Sequence, residues 1–251
     1  MKMGLASLKE GSPVLPGADA VDCRHRVTSP FVPVLTRVPT ERILRIQGYT
    51  DLSRVRPAIR KAAEWAAQTI AEVSTPSVSF KRLGLVRRGD DRIELSDGTT
   101  FDGVVLPHEL SCCDEVVVFV QSLGHGPDRK VIGLLEEGEN LLEALLLETA
   151  GWLALEETIR QFRSRLRTDA AGRGRALRKR LGPGYTYYLP QGPTIWPLDD
   201  QRILFSLFRE SELPVRLLES CAMQPKLSRS GLFGERPIGC QTFLQPRRTD
   251  R

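Results

Sequence analysis

Residues 77–95 read SVSFKRLGLVRRGDDRIEL, and their pattern indicates the class of fold. Apolar side chains alternate with polar ones on either side of Gly89, Asp90 and Asp91, a run that favours a tight turn. Alternation that flanks a turn predicts two antiparallel strands joined as a hairpin. A sheet built from hairpins indicates the α+β class, because regular strand–helix–strand units would give a parallel sheet.

Two long helices and a buried strand are predicted around this hairpin. Apolar residues recur at helical spacing through residues 53–73 and again through residues 139–167, the longest such pattern in the chain. Residues 115–124, EVVVFVQSLG, form an apolar run that ends at a glycine, which is typical of a buried strand followed by a turn. We therefore expect a single α+β unit with a twisted, largely antiparallel sheet and long flanking helices.

Shorter elements are predicted on both sides of this core. Residues 40–46, TERILRI, carry helical spacing that stops at Gly48. The stretch TDAAGRGR at 168–175 predicts a break after the long helix. Toward the end of the chain we expect a helix over about 198–211, a strand over 214–223, and a turn followed by a strand over 227–234, with SRSG at 228–231 as the turn.

The chain of 251 residues, with 41% apolar residues, suits a soluble globular protein. Residues 1–38 are rich in proline and glycine and predict an extended N-terminal arm, which leaves residues 39–251 as one domain. No apolar run reaches the roughly 18 residues that a membrane helix needs, and the N-terminus lacks the apolar core of a secretory signal. We expect a cytoplasmic protein with no membrane partner.

Neither the cysteines nor the histidines show the spacing of a metal site. The three histidines are scattered, and no two cysteines form a CxxC pair. Reduced, mostly structural thiols and no bound metal are therefore expected. The five cysteines are Cys23, Cys112, Cys113, Cys221 and Cys240.

A run of basic residues lies between positions 160 and 180, where nine cations stand against the single acid Asp169. The run could be a solvated helix face, a docking surface for an acidic protein, or a nucleic-acid site. It lacks the interleaved aromatic residues of a single-strand groove, so we expect no nucleic acid. The nine are Arg160, Arg163, Arg165, Arg167, Arg173, Arg175, Arg178, Lys179 and Arg180.

The end of this run, RLGPGYTYYLP at 180–190, combines a fixed charge with a turn. Arg180 offers a planar fork of donors suited to a carboxylate or phosphate. Gly182, Pro183 and Gly184 form a turn whose backbone a ligand can approach closely, and Tyr185 adds a ring face and a hydroxyl. The set indicates a small amphoteric ligand with a carboxylate and an adenine-like ring. The alternative is a surface turn tethered by an arginine.

The sequence from residue 180 to residue 234 resembles the S-adenosylmethionine-binding activation domain of cobalamin-dependent methionine synthase. That domain carries an RxxxGYxxxP motif, then a helix, then a strand like V-x-L-T-E-S-x-M-x-P and a turn like S-x-S-G. Here the first motif is filled by Arg180, Gly184 and Tyr185, with Pro190 one position late. The second and third motifs are filled by Glu219, Ser220, Met223, Pro225, Ser228, Ser230 and Gly231.

The chain upstream, from about residue 40, looks like the stand-alone proteins of this superfamily. The resemblance implies that the protein binds S-adenosylmethionine and presents its methyl group to a cobalamin whose cobalt has left the catalytic cycle. An electron from a flavodoxin-like donor reduces the cobalt, and methylation traps the active form. The chain has no recognisable cobalamin-binding D-x-H-x-x-G stretch. It would therefore act on a separate cobalamin-binding protein or methionine synthase core, as the methyltransferase activation component of a split enzyme.

The resemblance also implies roles for individual residues. Arg180 would grip the carboxylate of the ligand, and the backbone and ring from Gly182 to Tyr185 would hold its adenosine. An acid on the long helix would meet the ammonium group or the ribose. Glu156 is the expected acid and Glu157 its rival, because neighbouring side chains differ by about 100° around a helix. No catalytic residue is assigned, and supporting roles fall to Glu219, Ser220, Ser228 and Ser230.

The chain departs from the family pattern beyond Gly234. It reads GCQTF at 239–243, with no counterpart of the paired tyrosines that the family has near its ligand. Two other functions therefore stay open. One is the upkeep of another corrinoid methyltransferase or demethylase, and the other is a non-catalytic docking subunit that has lost the ligand.

Overall fold

The computed structural model describes residues 30–35, 38–138 and 140–239. Its helices are α1 (Thr40–Ile46), α2 (Pro57–Val73), α3 (Val105–Glu109), α4 (Gly126–Glu136), α5 (Leu141–Gly172) and α6 (Gln201–Ser206), with 3-10 turns at Leu52–Arg54 and Leu198–Asp200. Its strands are β1 (Ser77–Arg88), β2 (Arg92–Leu95), β3 (Thr100–Asp102), β4 (Glu115–Ser122), β5 (Arg175–Leu181), β6 (Thr186–Leu189), β7 (Gly192–Ile195), β8 (Arg216–Leu217), β9 (Met223–Gln224) and β10 (Ser228–Pro237).

Six strands form one antiparallel sheet in the order β3-β2-β1-β4-β10-β5. In the middle, Phe119 of β4 pairs with Phe80 of β1 on one side and with Gly231 of β10 on the other. All of β4 after Glu115 is buried, because this strand is paired along both edges and covered on both faces. The predicted α+β class, with a largely antiparallel sheet and long helices, is confirmed. The hairpin predicted at residues 77–95 is β1 and β2.

The two faces of the sheet carry different layers. On one face, Phe162 of α5 packs against Phe80 and Phe233, with ring centroids 5.1 and 6.3 Å apart. On the other face, α3 and α6 enclose a core in which Phe101 meets Trp196 edge-on at 6.1 Å. The N-terminal half of α5 instead packs with α1, α2 and α4. We call the two faces the α5 face and the α6 face.

Helix α5 has 32 residues and is therefore about 48 Å long. The break predicted at residue 168 is wrong, because Ala170 is buried and the helix continues to Gly172. The chain turns at Gly174, whose φ of +70° is a conformation that glycine adopts without steric cost. The predicted start at Glu139 lies outside the described residues, and the observed first residue is Leu141.

Several smaller predictions also need correction. Helix α2 begins at Pro57 rather than at residue 53, since proline suits the first turn of a helix. The helix predicted over 198–211 ends at Ser206. The strand predicted over 214–223 is a hairpin, β8 and β9, which turns at Cys221 with a φ of +61°. The SRSG turn is also wrong, because residues 228–231 are the first part of β10.

A buried carboxylate joins the end of α5 to the sheet. Glu235 of β10 is fully buried and lies 3.2 Å from the guanidinium of Arg82. It is also ion-paired with Arg173 and Arg175, which follow α5 directly. Arg82 reaches Asp169 at 2.6 Å as well. We call this set the Glu235 cluster, and it shows that part of the basic run has its counter-charges within the protein.

The described part of the predicted N-terminal arm lies along α5. Phe31 forms a backbone bridge with Val78 of β1. The side-chain amide of Gln161 accepts from the Val34 N–H at 3.0 Å and donates to the Val34 carbonyl at 2.9 Å. Residues 1–29, 36 and 37 lie outside the described residues, so the boundary at residues 38 and 39 stays a prediction.

Within the described residues, no helix is both long and apolar enough to cross a membrane. The same residues hold no group of three or more His, Cys, Asp or Glu side chains placed to bind a metal ion. Burial raises the pKa of the Cys113 thiol to about 11, so this thiol stays protonated at neutral pH. Cys23 and Cys240 lie outside the described residues.

Candidate ligand-binding site

Arg180 lies near the end of β5, the edge strand of the sheet, where it pairs with Phe233. Paired residues point to the same side of a sheet, so Arg180 faces α5. It is half-buried, and no described carboxylate lies within ion-pairing distance of it. Burial lowers the pKa of Arg180, and repulsion from Arg229 lowers it further, whereas Glu156 acts in the opposite direction. Arg180 is thus a partly desolvated cation that is available to an anion.

Glu156, the acid expected on the long helix, already has a partner inside the protein. Its carboxylate lies 2.6 Å from the Arg229 guanidinium, an ion pair between α5 and β10. The Arg229 side chain is only 12% exposed, and that of Glu156 is 51% exposed. The Nη1 atom of Arg229 makes no aligned hydrogen bond, so the contact is electrostatic. Solvent and a ligand can still reach the outer part of the Glu156 carboxylate.

Arg229 is a residue that the sequence analysis missed. It pairs with Gln121, whose amide donates to the Leu155 carbonyl of α5 at 2.7 Å, so Arg229 also faces α5. Strand alternation puts its neighbours Ser228 and Ser230 on the α6 face. Reading SRSG as a strand would have found Arg229, because alternate residues of a strand share a face.

The two serines are buried away from Arg180. Ser228 is hydrogen-bonded to Ser122 at 3.0 Å, and the Ser230 hydroxyl donates to Gln201 of α6 at 3.3 Å. Both contacts lie on the opposite side of the sheet from Arg180. The structure therefore does not bring these serines to Arg180, and the supporting role that the resemblance implies for them stays a prediction.

Glu219 and Ser220 lie in the exposed turn between β8 and β9. The Glu219 carbonyl accepts a hydrogen bond from Arg202, and the Ser220 hydroxyl accepts from the Ala222 N–H at 3.4 Å. The strand predicted over 214–223 would have contained this pair, but that stretch is a hairpin and the pair lies in its turn. A supporting role for the pair stays a prediction.

The turn after β5 is held by its own polar groups. The Tyr187 hydroxyl accepts from the Gly182 N–H at 2.7 Å and donates to the Gly182 carbonyl at 3.1 Å. The Gly184 N–H donates to the Trp196 carbonyl at 2.7 Å, and Gly184 has a φ of +81°. Neither glycine N–H is therefore free to bind adenosine, contrary to part of the expectation. What the turn still offers is the exposed ring of Tyr185.

Two neighbouring cavities share Arg180. The smaller one, of about 270 Å³, is lined by Arg180, Gly182 and Tyr185 together with Lys179 and residues 186–188. The Arg180 guanidinium carbon lies 6.0 Å from the centre of the Tyr185 ring, within reach of a cation–π contact. Pro183 and Gly184 line neither cavity, so they shape the turn without reaching into it.

The larger of these two cavities, of about 610 Å³, lies between α1, α5 and the sheet edge. Its polar lining consists of Arg42, Glu156, Glu157, Arg160, Arg163 and Arg180. Glu157 is paired with Arg160 at 2.6 Å, and this hydrogen-bonded contact lowers the pKa of Glu157. Both glutamates that were considered for the ligand are thus present in one cavity, and each is matched by an arginine.

A more open cleft of about 850 Å³ lies at the start of α4. It is lined by His125, Arg129 and Arg216 among others, and it contains none of the predicted site residues. Its size does not make it the better candidate, because the Arg180 cavities combine a desolvated cation, a ring and carboxylates. We therefore take the Arg180 cavities as the candidate site.

Comparison with known proteins bears on the fold. The sequence matches no family profile, and it matches no curated protein. Among solved structures, the chain is similar to the one described as the MetH reactivation domain bound to AdoHcy, with 12% sequence identity and a TM-score of 0.53. The match covers 84% of this chain and 83% of the other. The chain therefore shares the fold of the MetH reactivation domain.

Proposed function

We propose that the protein binds S-adenosylmethionine at Arg180 and supports the reductive remethylation of cobalamin on a separate corrinoid protein. It would be the activation component of a split cobalamin-dependent methionine synthase in the cytoplasm. The observation that carries this proposal is a half-buried Arg180 that has no described carboxylate partner and lies beside the Tyr185 ring and Glu156. The fold shared with a domain that was solved with AdoHcy supports it.

The ligand would be recognised by its two ends. Arg180 would form paired, charge-assisted hydrogen bonds with the carboxylate, which suits the planar fork of a guanidinium. The adenine ring would lie against Tyr185, a residue that is 51% exposed. The ammonium group would share the Glu156 carboxylate with Arg229. The turn from Gly182 through Pro183 to Gly184 would set the position of the Tyr185 ring rather than donate hydrogen bonds.

The chemistry would couple two events on the partner protein. Reduction of the inactive cobalt by a flavodoxin-like donor is unfavourable, and methyl transfer from a sulfonium is strongly favourable. The cobalamin is the cargo of the partner, and this chain would contribute the binding and orientation of the methyl donor. Orientation alone can supply a large share of a rate enhancement when it holds the reacting atoms in line.

The basic run would supply the docking surface for these partners. Arg163, Arg165 and Arg167 lie on α5 and have no described ion pair, so their charge is available to an acidic protein. Arg173 belongs to the Glu235 cluster and does not contribute to this surface. Reversing the charges at Arg163 and Arg167 should weaken association with the corrinoid carrier or the reductant, and added salt should weaken it in the wild type. Binding that ignores both changes would exclude this surface.

A second candidate function is a docking subunit that no longer binds the ligand. The occupied donors of Gly182 and Gly184 and the pairing of Glu156 with Arg229 favour it. A system that serves another corrinoid methyltransferase or demethylase would use the same chemistry, so the same binding test applies. The two classes of function differ in whether S-adenosylmethionine binds at all.

Titration calorimetry with S-adenosylmethionine tests the proposal. Arg180→Lys should lower the affinity about ten- to a hundredfold, because the hydrogen bonds of the fork contribute roughly 1.5–3 kcal/mol each and a lysine cannot reproduce them. Arg178→Lys on the same strand is the matched control, since Arg178 lines neither cavity. If the wild type shows a cooperative thermal unfolding transition but does not bind S-adenosylmethionine, the proposal is wrong and the docking subunit is the better candidate. Equal affinities for wild type and Arg180→Lys would place the ligand elsewhere.

A further inference from the structure

The larger cavity carries more positive charge than S-adenosylmethionine can neutralise. Four arginines and two glutamates line it, which leaves two positive charges in excess. Arg229, which is paired with Glu156 at the same place, adds a third. S-adenosylmethionine has one carboxylate, an ammonium and a sulfonium, so it is itself a cation. Its carboxylate would match Arg180 and leave Arg42 and Arg163, neither of which has an ion pair within the described residues, without an anion of their own.

Arg163 is the least solvated of these unmatched cations. It lies on α5 and is half-buried, and its Nε atom is buried without any hydrogen-bond partner in the described part of the chain. A buried donor that is left unpaired destabilises the folded protein, and a desolvated charge does so more strongly. Arg42 of α1 lies on the exposed rim of the same cavity. An anion that entered between them would satisfy both.

In the Glu235 cluster, where the arginines join helix to sheet, the protein supplies their counter-charge itself. There, β10 supplies a fully buried carboxylate to three guanidiniums. On the same strand, beside the larger cavity, β10 supplies Arg229, Gly231 and Phe233 instead. Strand β10 thus places the cation Arg229 beside the larger cavity, whereas it places the anion Glu235 among the arginines of the Glu235 cluster.

We propose that the larger cavity is a binding site for a compact polyanion, namely a phosphate or diphosphate group held between Arg163 and Arg180 with Arg42 at the rim. Ile159 and Phe233, both buried, give the cavity an apolar part of its lining, and a less polar surrounding strengthens charge-assisted hydrogen bonds. Guanidinium forks suit phosphate oxygens, which they can bind in pairs. This site goes beyond S-adenosylmethionine binding, because it takes a ligand of opposite net charge.

Titration with inorganic pyrophosphate at low ionic strength tests the site without S-adenosylmethionine. Pyrophosphate should bind the wild type, and Arg163→Gln should weaken it about ten- to a hundredfold through the loss of charge-assisted hydrogen bonds. Arg42→Gln should weaken it less, since Arg42 is exposed and its contact is screened. Arg167→Gln is the matched control, because Arg167 lies on the same helix and does not line the cavity.

The outcomes separate this site from non-specific attraction and from the proposed function. Equal losses in Arg163→Gln and Arg167→Gln, or no binding at low salt by a folded wild type, would overturn the inference. Adenosine diphosphate is a second probe: tighter binding than pyrophosphate would identify a nucleotide site, and equal binding would identify a free diphosphate site. If pyrophosphate binds and S-adenosylmethionine does not, this site stands and the proposed function falls.

Discussion

Two groups of arginines lie against β10, and they differ in where their counter-charge comes from. In the Glu235 cluster, Arg82, Arg173 and Arg175 converge on one buried carboxylate. Near the start of the strand, Arg229 is paired with a half-exposed Glu156. Arg180, which lies opposite Phe233 on the neighbouring β5, has no described carboxylate partner. Both groups consist of arginines, so the residue type alone does not distinguish them.

An arginine therefore indicates a ligand where the described part of the fold supplies no anionic partner for it. Glu235 is inaccessible to solvent, and its three arginines are neutralised within the protein by Glu235 together with Asp169, Glu115 and Asp114. Arg180 also belongs to the sheet, as a residue of β5, but it lines two cavities that a ligand can enter. One group joins helix to sheet, and the other is available for binding.

The largest effect is expected where the counter-charge is internal. Glu235→Gln should destabilise the protein by about 3–5 kcal/mol, because its charge-assisted hydrogen bonds with Arg82 and Arg173 contribute roughly 1.5–3 kcal/mol each. The three guanidiniums then keep only the more exposed carboxylates of Asp169, Glu115 and Asp114. This loss is a large fraction of a total stability of roughly 5–15 kcal/mol. Denaturant unfolding followed by circular dichroism measures it.

Glu94→Gln provides the comparison for that experiment. Glu94 lies 3.5 Å from Arg87, whose side chain is 82% exposed, so the pair should contribute less than about 1 kcal/mol. If Glu235→Gln unfolds at the same denaturant concentration as Glu94→Gln, the Glu235 cluster is not structural and the contrast between the two groups fails.

Two left-handed glycines give an intermediate effect. Gly184 and Gly174 have φ values of +81° and +70°, so an alanine at either should cost about 1–2 kcal/mol of stability. A Cβ at Gly184 would also lie 3.2 Å from Leu198, whereas one at Gly174 meets no atom of the described residues within 4 Å. Only Gly184→Ala should weaken S-adenosylmethionine binding, because only that turn positions Tyr185.

Chemical denaturation and ligand titration of both glycine variants test this expectation. Gly174→Ala, in the turn beside the Glu235 cluster, serves as the control for backbone strain. Loss of affinity in both variants would mean that general destabilisation, and not the geometry of the turn at residue 184, affects the ligand.

The smallest effect is expected from the charge beside the open site. Arg229→Gln should raise the affinity for S-adenosylmethionine about fivefold, because it removes a positive charge and frees Glu156 for the ammonium group. The size follows from an interaction of about 1 kcal/mol between charges in a partly aqueous environment. Arg216→Gln, on the exposed β8, is the control. A lower affinity in Arg229→Gln would show that Arg229 holds Glu156 in its binding position.

Much of the fold could be predicted because its signals are local. The alternation in residues 77–95 and the apolar run at 115–124 each identify a strand within a few residues, and helical spacing identified α2 and α5. The exceptions depend on distant contacts. Residues 228–231 look like a turn by composition, but they are a strand because they pair with β4 over its last residues. Similarly, α5 continues past residue 168 because Ala170 is buried against the rest of the protein.

The site was predictable in part for the same reason. Arg180 and Tyr185 were found from one short motif, and the structure brings them together with Glu156. Arg229 was missed because its importance depends on which face of β10 meets α5. The basic run looked uniform in sequence, since Glu235 and Glu115, which neutralise Arg173, come from distant strands.

The hydroxyl of Tyr187 is hydrogen-bonded to both the N–H and the carbonyl of Gly182, and this bears on which ligand analogues the site accepts. Because the N–H groups of Gly182 and Gly184 are already satisfied, neither can hydrogen-bond to the edge of a base. If adenine lies there, it would be selected by the flatness and size of its ring. Fluorescent or deaza purines should then be accepted nearly as well as the natural base, which would make such compounds practical reporters for this protein.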